Sequence, residues 1–385
     1  MNPETKTYRI RTYDKVSMFF IGAINNLPYV IAIASAKRIV KHFQRPNDLG
    51  LVLWANTISG VFSRFLNTWL TSINMSYYIR FGFNCLAMLF GLVGCAFAQS
   101  FGFALTCILF IGFSSFFGEA VILCYITYRR KQPLLRSWSS GTGMAGIIGA
   151  TYSLMVEKIN AQYKMSFLIV SPIVFLYIGL FLVIVFSPEE DREENLNPEP
   201  LLEEINLVEQ HVSIWSWTIL KPVWWYIFNC CSVYFLEYVI QGAFADCSQT
   251  PSMSQEYPYM FPLLNLMYQI GVFISRSSLT FFKFPHVGTV SACQLFMFLI
   301  WLSQPFYYWM TFYVQLSLMS VVGLFGGLSY VNVFDLIMNV RTLSTKEKEM
   351  ATSWNALSIS LGIVTASLFT YIAEQTFLYG KSRPK

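Results

Sequence analysis

Four charged side chains interrupt otherwise apolar stretches of this 385-residue sequence: Arg64, Glu119, Glu237 and Arg276. A charge near the centre of a bilayer costs at least about 2.5–3.5 kcal/mol, so such residues turn inward and serve transport, proton relay or gating. An arginine there can bind an anionic solute or a carboxylate on another helix. Its long stem also lets it snorkel to the interface, the alternative for Arg64, about two turns from the end of its stretch. A glutamate stem is shorter, so Glu119 and Glu237 are expected to be paired, protonated or wet, and either could carry a coupling proton. A structural ion pair with an arginine is the competing expectation. Asn25, Asn26, Gln269 and Asn332 add uncharged groups to this candidate substrate-binding or gating set, although asparagine in a membrane helix more often bonds a neighbouring helix.

Ser139, Ser140, Gly141, Thr142 and Gly143 open a literal GxGxxG. As a dinucleotide fingerprint it lacks the preceding strand. Gly141, Ala145 and Gly149 instead form a small-xxx-small face for close helix packing. The free N–H groups of a helix starting at Ser139, beside Arg136, would alternatively hold an anion. Gly323, Gly326 and Gly327 permit close packing or a break lining a cavity. Catalysis has little to work with: His42, His211 and His286 stand alone, and HExxH, GxSxG and CxxC are all missing. Neither an enzyme, a metal site nor a cofactor is expected.

The elements that must position these residues follow from composition. The chain is 55% apolar, 17% aromatic and only 12% charged, with mean hydropathy +0.49, whereas soluble domains carry about 25% charged residues. Its net charge of +5 is too mild to argue for nucleic acid or another polyanion. The pattern is that of an all-α polytopic membrane protein whose main partner is the lipid bilayer. Segments of about 20 apolar residues fall near 16–35, 49–70, 78–98, 101–126, 136–156, 166–186, 216–241, 258–281, 285–303, 306–334 and 350–374. The fifth, rich in Ser and Gly, is the weakest. These eleven give a six-helix bundle over 1–186, an acidic, proline-bearing linker over 187–215, and a five-helix bundle with a short tail over 216–385. The Lys and Arg bias of the loops favours a cytosolic N-terminus. Within the linker, Glu199-Pro200-Leu201-Leu202 is similar to an acidic di-leucine signal for sorting adaptors. Gly60-Val61-Phe62-Ser63-Arg64 and Gly271-Val272-Phe273-Ile274-Ser275-Arg276 each lie in the second segment of a half. Such paired halves build many secondary carriers, with the substrate between them.

Several stretches resemble the battenin family, lysosomal and vacuolar membrane proteins associated with Batten disease. They are Tyr268 to Leu279 (Tyr-Gln-Ile-Gly-Val-Phe-Ile-Ser-Arg-Ser-Ser-Leu), Trp138 to Gly143, Gly326 to Phe334, Tyr234 to Tyr238, Gly118-Glu119 and Gly22 to Val30. They run from the first segment to the tenth. The resemblance implies a major facilitator-like 6+5 fold and residence in lysosomal, endosomal or vacuolar membranes. It also implies roles in pH homeostasis, basic amino-acid transport and clearance of glycerophosphodiesters. The leading expectation is a secondary carrier of a small solute, with a proton as the candidate coupling ion. The alternative is a non-transporting scaffold that regulates lysosomal pH and trafficking through partners.

Overall fold

In lipid every backbone group must be satisfied within its own segment, so a chain this apolar folds as helices. The computed structural model describes residues 11–45, 48–129, 132–159, 162–185, 216–245, 247–257 and 260–378, and within them no strand is present. The acidic linker, with its Leu201-Leu202, and the tail beyond residue 378 lie outside the described residues. Helices occupy each of the eleven apolar segments: α1 (Thr12–Ala34), α2 (Leu49–Ser72), α3 (Tyr77–Ala96), α4 (Phe101–Tyr128), α5 (Gln132–Lys158), α6 (Tyr163–Leu168 and Ile173–Val185, joined by a turn), α7 (Trp224–Val239), α8 (Met260–Arg276), α9 (Val287–Tyr307), α10 (Phe312–Met338) and α11 (Thr345–Gln375). Eight of them, all but α2, α5 and α8, are long and apolar enough to cross a membrane among the described residues. The ends follow local chemistry. Ser76 and Ser100 accept hydrogen bonds from the first turns of α3 and α4, and Ser344 with Glu347 forms a capping box on α11. A π turn over Ile240–Phe244 extends α7, a local widening that recurs at functional sites.

Several boundaries differ from expectation, three of them in ways that bear on the polar residues. α5 begins earlier, at Gln132, and α10 both starts later, at Phe312, and ends later, at Met338, which brings Asp335 inside it. The seventh segment is broken between a short helix, Trp217–Leu220, and the start of α7 at Trp224.

The packing of the first half recurs in the second. α1 packs on α5 and α2 and α3 on α4; correspondingly α7 packs on α11 and α8 and α9 on α10. The seam between the halves repeats the same exchange, α2 and α4 against α11, and α5 against α8 and α10. Glycines set the closest crossings, because only a residue without Cβ lets two backbones meet there. A side chain at Gly112 would overlap the Asn56 carbonyl of α2, and one at Gly323 the Tyr268 carbonyl of α8. Gly60 and Gly271 hold the reciprocal positions, against Phe116 and the Ser320 carbonyl. One offset of 211 residues relates Gly60 to Gly271 and Gly112 to Gly323. The symmetry is incomplete where α6 covers α1 and α3. The apolar window of α9 is 33% buried against 56% for its counterpart α3, and an apolar groove of 760 Å³ lies between α9 and α11.

Candidate functional site

Arg64 projects from α2 into the seam and is 2% exposed, so it does not snorkel. Its guanidinium forms an ion pair with Glu119 of α4, donates to the Ala356 carbonyl of α11 at 2.6 Å and lies over the Phe116 ring at 4.9 Å. The other Glu119 oxygen accepts a hydrogen bond from the Tyr330 hydroxyl of α10 at 2.6 Å. That hydroxyl accepts in turn from Trp138 Nε1 of α5 at 3.3 Å. The Tyr330 ring carries the Arg276 guanidinium 4.2 Å from its centroid, a cation–π arrangement that strengthens when desolvated. Arg276, at the last turn of α8, spreads its fork across the seam. It donates to Thr142 Oγ1 of α5 at 2.7 Å and to the Tyr234 hydroxyl of α7 at 3.1 Å. Arginine suits this position because its planar donors reach several partners at once. One polar chain thus joins seven helices through Arg64, Glu119, Tyr330 and Arg276.

Glu237 lies beside this chain on α7, just before the π turn, and is 1% exposed. Tyr268 of α8 is its hydrogen-bonding neighbour, and its Oε2 has no partner among the described residues. Gly326 of α10 makes room for the carboxylate, and the next residue, Gly327, makes room for the Arg276 stem and the Ser275 hydroxyl.

The other candidates lie elsewhere. Asn25 donates to the Ser115 carbonyl at 2.8 Å and accepts from the Tyr177 hydroxyl at 2.8 Å, while Asn26 accepts from the Ser115 hydroxyl at 3.0 Å. These bonds tie α1 to α4 and α6. Gln269 lies against Gly146 where α8 crosses α5. Asn332 holds the connection after α8, accepting from the Phe284 N–H at 2.7 Å.

The helix-start anion site requires correction. Because α5 starts at Gln132, the backbone N–H groups of Ser139, Ser140, Gly141, Thr142 and Gly143 are already inside the helical ladder. The glycines serve packing instead: Gly141 abuts the Phe19 carbonyl of α1, and a Cβ on Gly143 would lie 2.8 Å from Phe273 Cα of α8. Thr142 joins the polar chain by another route, donating to the Ser139 carbonyl at 2.9 Å while accepting from Arg276.

Several polar partners carry no sequence signal of their own. Tyr330, Tyr234 and Trp138 are three aromatics among many. Arg80 reads as a loop cation, yet it is 1% exposed and donates to Asn67 at 3.0 Å and Thr71 at 2.9 Å. Tyr77, under its guanidinium, donates to the Glu349 carboxylate of α11. At the same end of the bundle, Lys283 pairs with Asp335 at 2.9 Å and donates to Gln132 of α5 at 3.2 Å.

The chain as a whole is similar to known proteins. A family model described as CLN3 protein matches residues 16–213 and 189–378. The chain is 32% identical to the battenin of Dictyostelium discoideum, with 94% of each chain covered. It is 30% identical to the protein btn1 of Schizosaccharomyces pombe, with 96% of each covered. It is 29% identical to the battenin of Canis lupus familiaris over 74% of this chain and 67% of that one. A match spanning both halves, from the helix that supplies Asn25 to the helix that meets Arg64, makes this multi-pass membrane protein a member of the battenin (CLN3 protein) family.

Proposed function

We propose that this protein is a secondary carrier of lysosomal or vacuolar membranes. Its two halves, α1–α6 and α7–α11 in a major facilitator-like 6+5 arrangement, rock about the polar chain between them, with the N-terminus and the 187–215 linker in the cytosol. In this reading it moves a small solute out of the organelle and thereby contributes to its pH homeostasis. The observation that carries the proposal is Arg276. It stands at the seam, and its partners among the described residues are neutral, two hydroxyls and a ring. Arg64 is already neutralised by Glu119. A cation held by neutral groups can exchange them for an anion, because an anionic oxygen group adds net charge attraction and bidentate geometry that single hydroxyl acceptors lack. Of the two solute classes the family resemblance implies, glycerophosphodiesters match that charge and basic amino acids do not.

The test is uptake of labelled glycerophosphodiester by proteoliposomes, with and without a pH gradient. Flux is expected from the natural chain, with saturation lost in Arg276→Gln. Equal flux in the two chains, or competition by arginine or lysine but not by phosphodiesters, would reverse the assignment.

A further inference from the structure

We propose that Glu237, and not Glu119, takes up the coupling proton, and that its ionised form draws Arg276 away from the α5 seam. This inference rests on the carrier reading and assigns the ion site within it.

The two buried carboxyl groups differ in what holds them. Glu119 has both oxygens engaged, one by the Arg64 guanidinium and one by the Tyr330 hydroxyl. A proton there would have to displace a charge-assisted partner and leave Arg64 buried beside a neutral acid. Glu237 has an oxygen with no partner among the described residues and is the deeper of the two. A buried ion in that position lacks the pairing that its desolvation demands, whereas the neutral acid needs little.

The surroundings of Glu237 are well defined. α8 brings Tyr268 and Arg276 to it, and on α7 itself Cys230, Tyr234 and Tyr238 lie within electrostatic reach. α10 presents Gly326, with Tyr330 one turn further on. Among the described residues, α9 and α11 bring it no charged group. Arg276 is therefore the cation available when the proton leaves.

Nothing bulky stands between them on α10. Gly326 and Gly327 are consecutive, the first against the Glu237 carboxylate and the second against the Arg276 stem. With Glu237 neutral, Arg276 stays on Thr142, Tyr234 and Tyr330. Loss of the proton from the Glu237 carboxyl to water leaves an anion that competes for the guanidinium. Its capture breaks the Arg276–Thr142 bond, a hydrogen bond between α8 and α5 across the seam. Uptake of a proton from water reverses the exchange. The ionised Glu237 and an anionic solute then compete for the same cation, and a proton taken up by Glu237 frees that cation for the solute, which is the linkage that a coupled carrier requires.

Two measurements on the purified full-length protein test this. In proteoliposomes, Glu237→Gln fixes the neutral form. Its solute exchange, at whatever rate it runs, is expected to lose its response to pH, the ratio of flux with and without a gradient falling to unity. A retained gradient response in Glu237→Gln overturns the proposal. So does a flat pH profile in Glu119→Gln with exchange preserved. The second readout needs no transport. Difference infrared spectra between acidic and neutral buffer should show a buried carboxylic C=O band that disappears in Glu237→Gln and shifts in Tyr268→Phe. A band present in Glu237→Gln, or unmoved in Tyr268→Phe, overturns the assignment. No flux in the natural chain, with the band behaving as stated, would sink the carrier reading and leave Glu237 as the proton site.

Discussion

Arg64 and Arg276 occupy neighbouring rather than identical places in the two halves, four and five residues beyond Gly60 and Gly271, so that the offset of 211 residues sets Arg64 on Ser275, next to Arg276. What faces them differs. The offset of 211 residues that superposes the glycines also superposes Glu119 on Tyr330. The first half therefore pairs its arginine with a carboxylate, and the second lays its arginine on a phenol ring. The lesson is that a repeated backbone frame need not repeat its electrostatics. The first site closes on itself and fastens α2, α4 and α11. The second leaves one positive charge held by exchangeable neutral partners. Tyr330 joins the two, offering its hydroxyl to one site and its ring to the other.

The comparison breaks most severely at Glu119. Changing Glu119→Gln strands the Arg64 guanidinium at 2% exposure, and removing one partner of a buried pair typically costs about 3–5 kcal/mol. Thermal unfolding in detergent should report it. The double variant Arg64→Gln with Glu119→Gln should recover much of the loss, since neither charge is then buried alone. A Glu119→Gln chain as stable as the natural one would mean that the pair fastens nothing. Arg276→Gln is expected to unfold near the natural temperature, because the groups it leaves behind are neutral.

Next in size are the glycine crossings. Gly112→Ala and Gly323→Ala each drive a methyl into a backbone carbonyl that cannot swing aside, an overpacking expected to cost about 1–3 kcal/mol each. Gly82, where an added methyl would meet nothing within 4 Å, is the control, and Gly82→Ala in a helix should be neutral or stabilise by up to about 1 kcal/mol. Similar losses at Gly112 and Gly323 sharpen the structural equivalence of the halves. A loss at only one would confine the equivalence to the course of the backbone.

Tyr330→Phe separates the two roles of that residue. It keeps the ring under Arg276 but deletes the bond to Glu119 and the acceptor for Trp138 Nε1. Removing one partner from buried groups costs about 1–3 kcal/mol. The expected result is a modest fall in unfolding temperature, with solute affinity at Arg276 retained. Affinity lost in step with stability would show that the two sites act as one.

Much of this architecture is legible in the sequence, for physical reasons. Apolar runs mark the helices because lipid allows the backbone no other solution, and intramembrane charges mark the seam because they are too costly to place elsewhere. The glycine–arginine repeat marks the second helix of each half. The aromatic partners of Arg276 are harder to see, since Tyr234 and Tyr330 have the composition of lipid-facing aromatics in a chain with 35 Phe and 22 Tyr. Arg80 looks like a loop residue because it lies near a helix start, and only tertiary packing reveals that Asn67 and Thr71 enclose it. The start of α5 is obscured by Arg136 and the serines after it, which weaken the apolar signal of the fifth segment and set its expected start at 136, one turn after Gln132. That misplacement is what makes the Ser139–Gly143 stretch resemble an anion site.

The smallest effect is expected at the end of the seam, where the halves close in two unlike ways. On the α3–α11 side, Arg80 and Glu349 are both buried and linked through Tyr77. On the α5–α8 side, Lys283 reaches Asp335 and Gln132 from a side chain that is 44% exposed. The lysine end of this pair is open to water while Asp335 is 7% exposed, so water competes for one partner only and the pair is weaker than one buried at both ends. Lys283→Met should therefore lower the unfolding temperature by less than Glu119→Gln does, and raising the salt concentration should shrink the difference from the natural chain. If the halves open at this end, the weak closure is the one that yields first. Lys283→Met would then raise the accessibility of a cysteine placed at Gln132 to a water-soluble thiol reagent, while one placed at Ser353, behind the buried closure, would stay protected. Equal labelling at both positions would mean that the two closures open together, and that the difference in burial between them has no bearing on the motion.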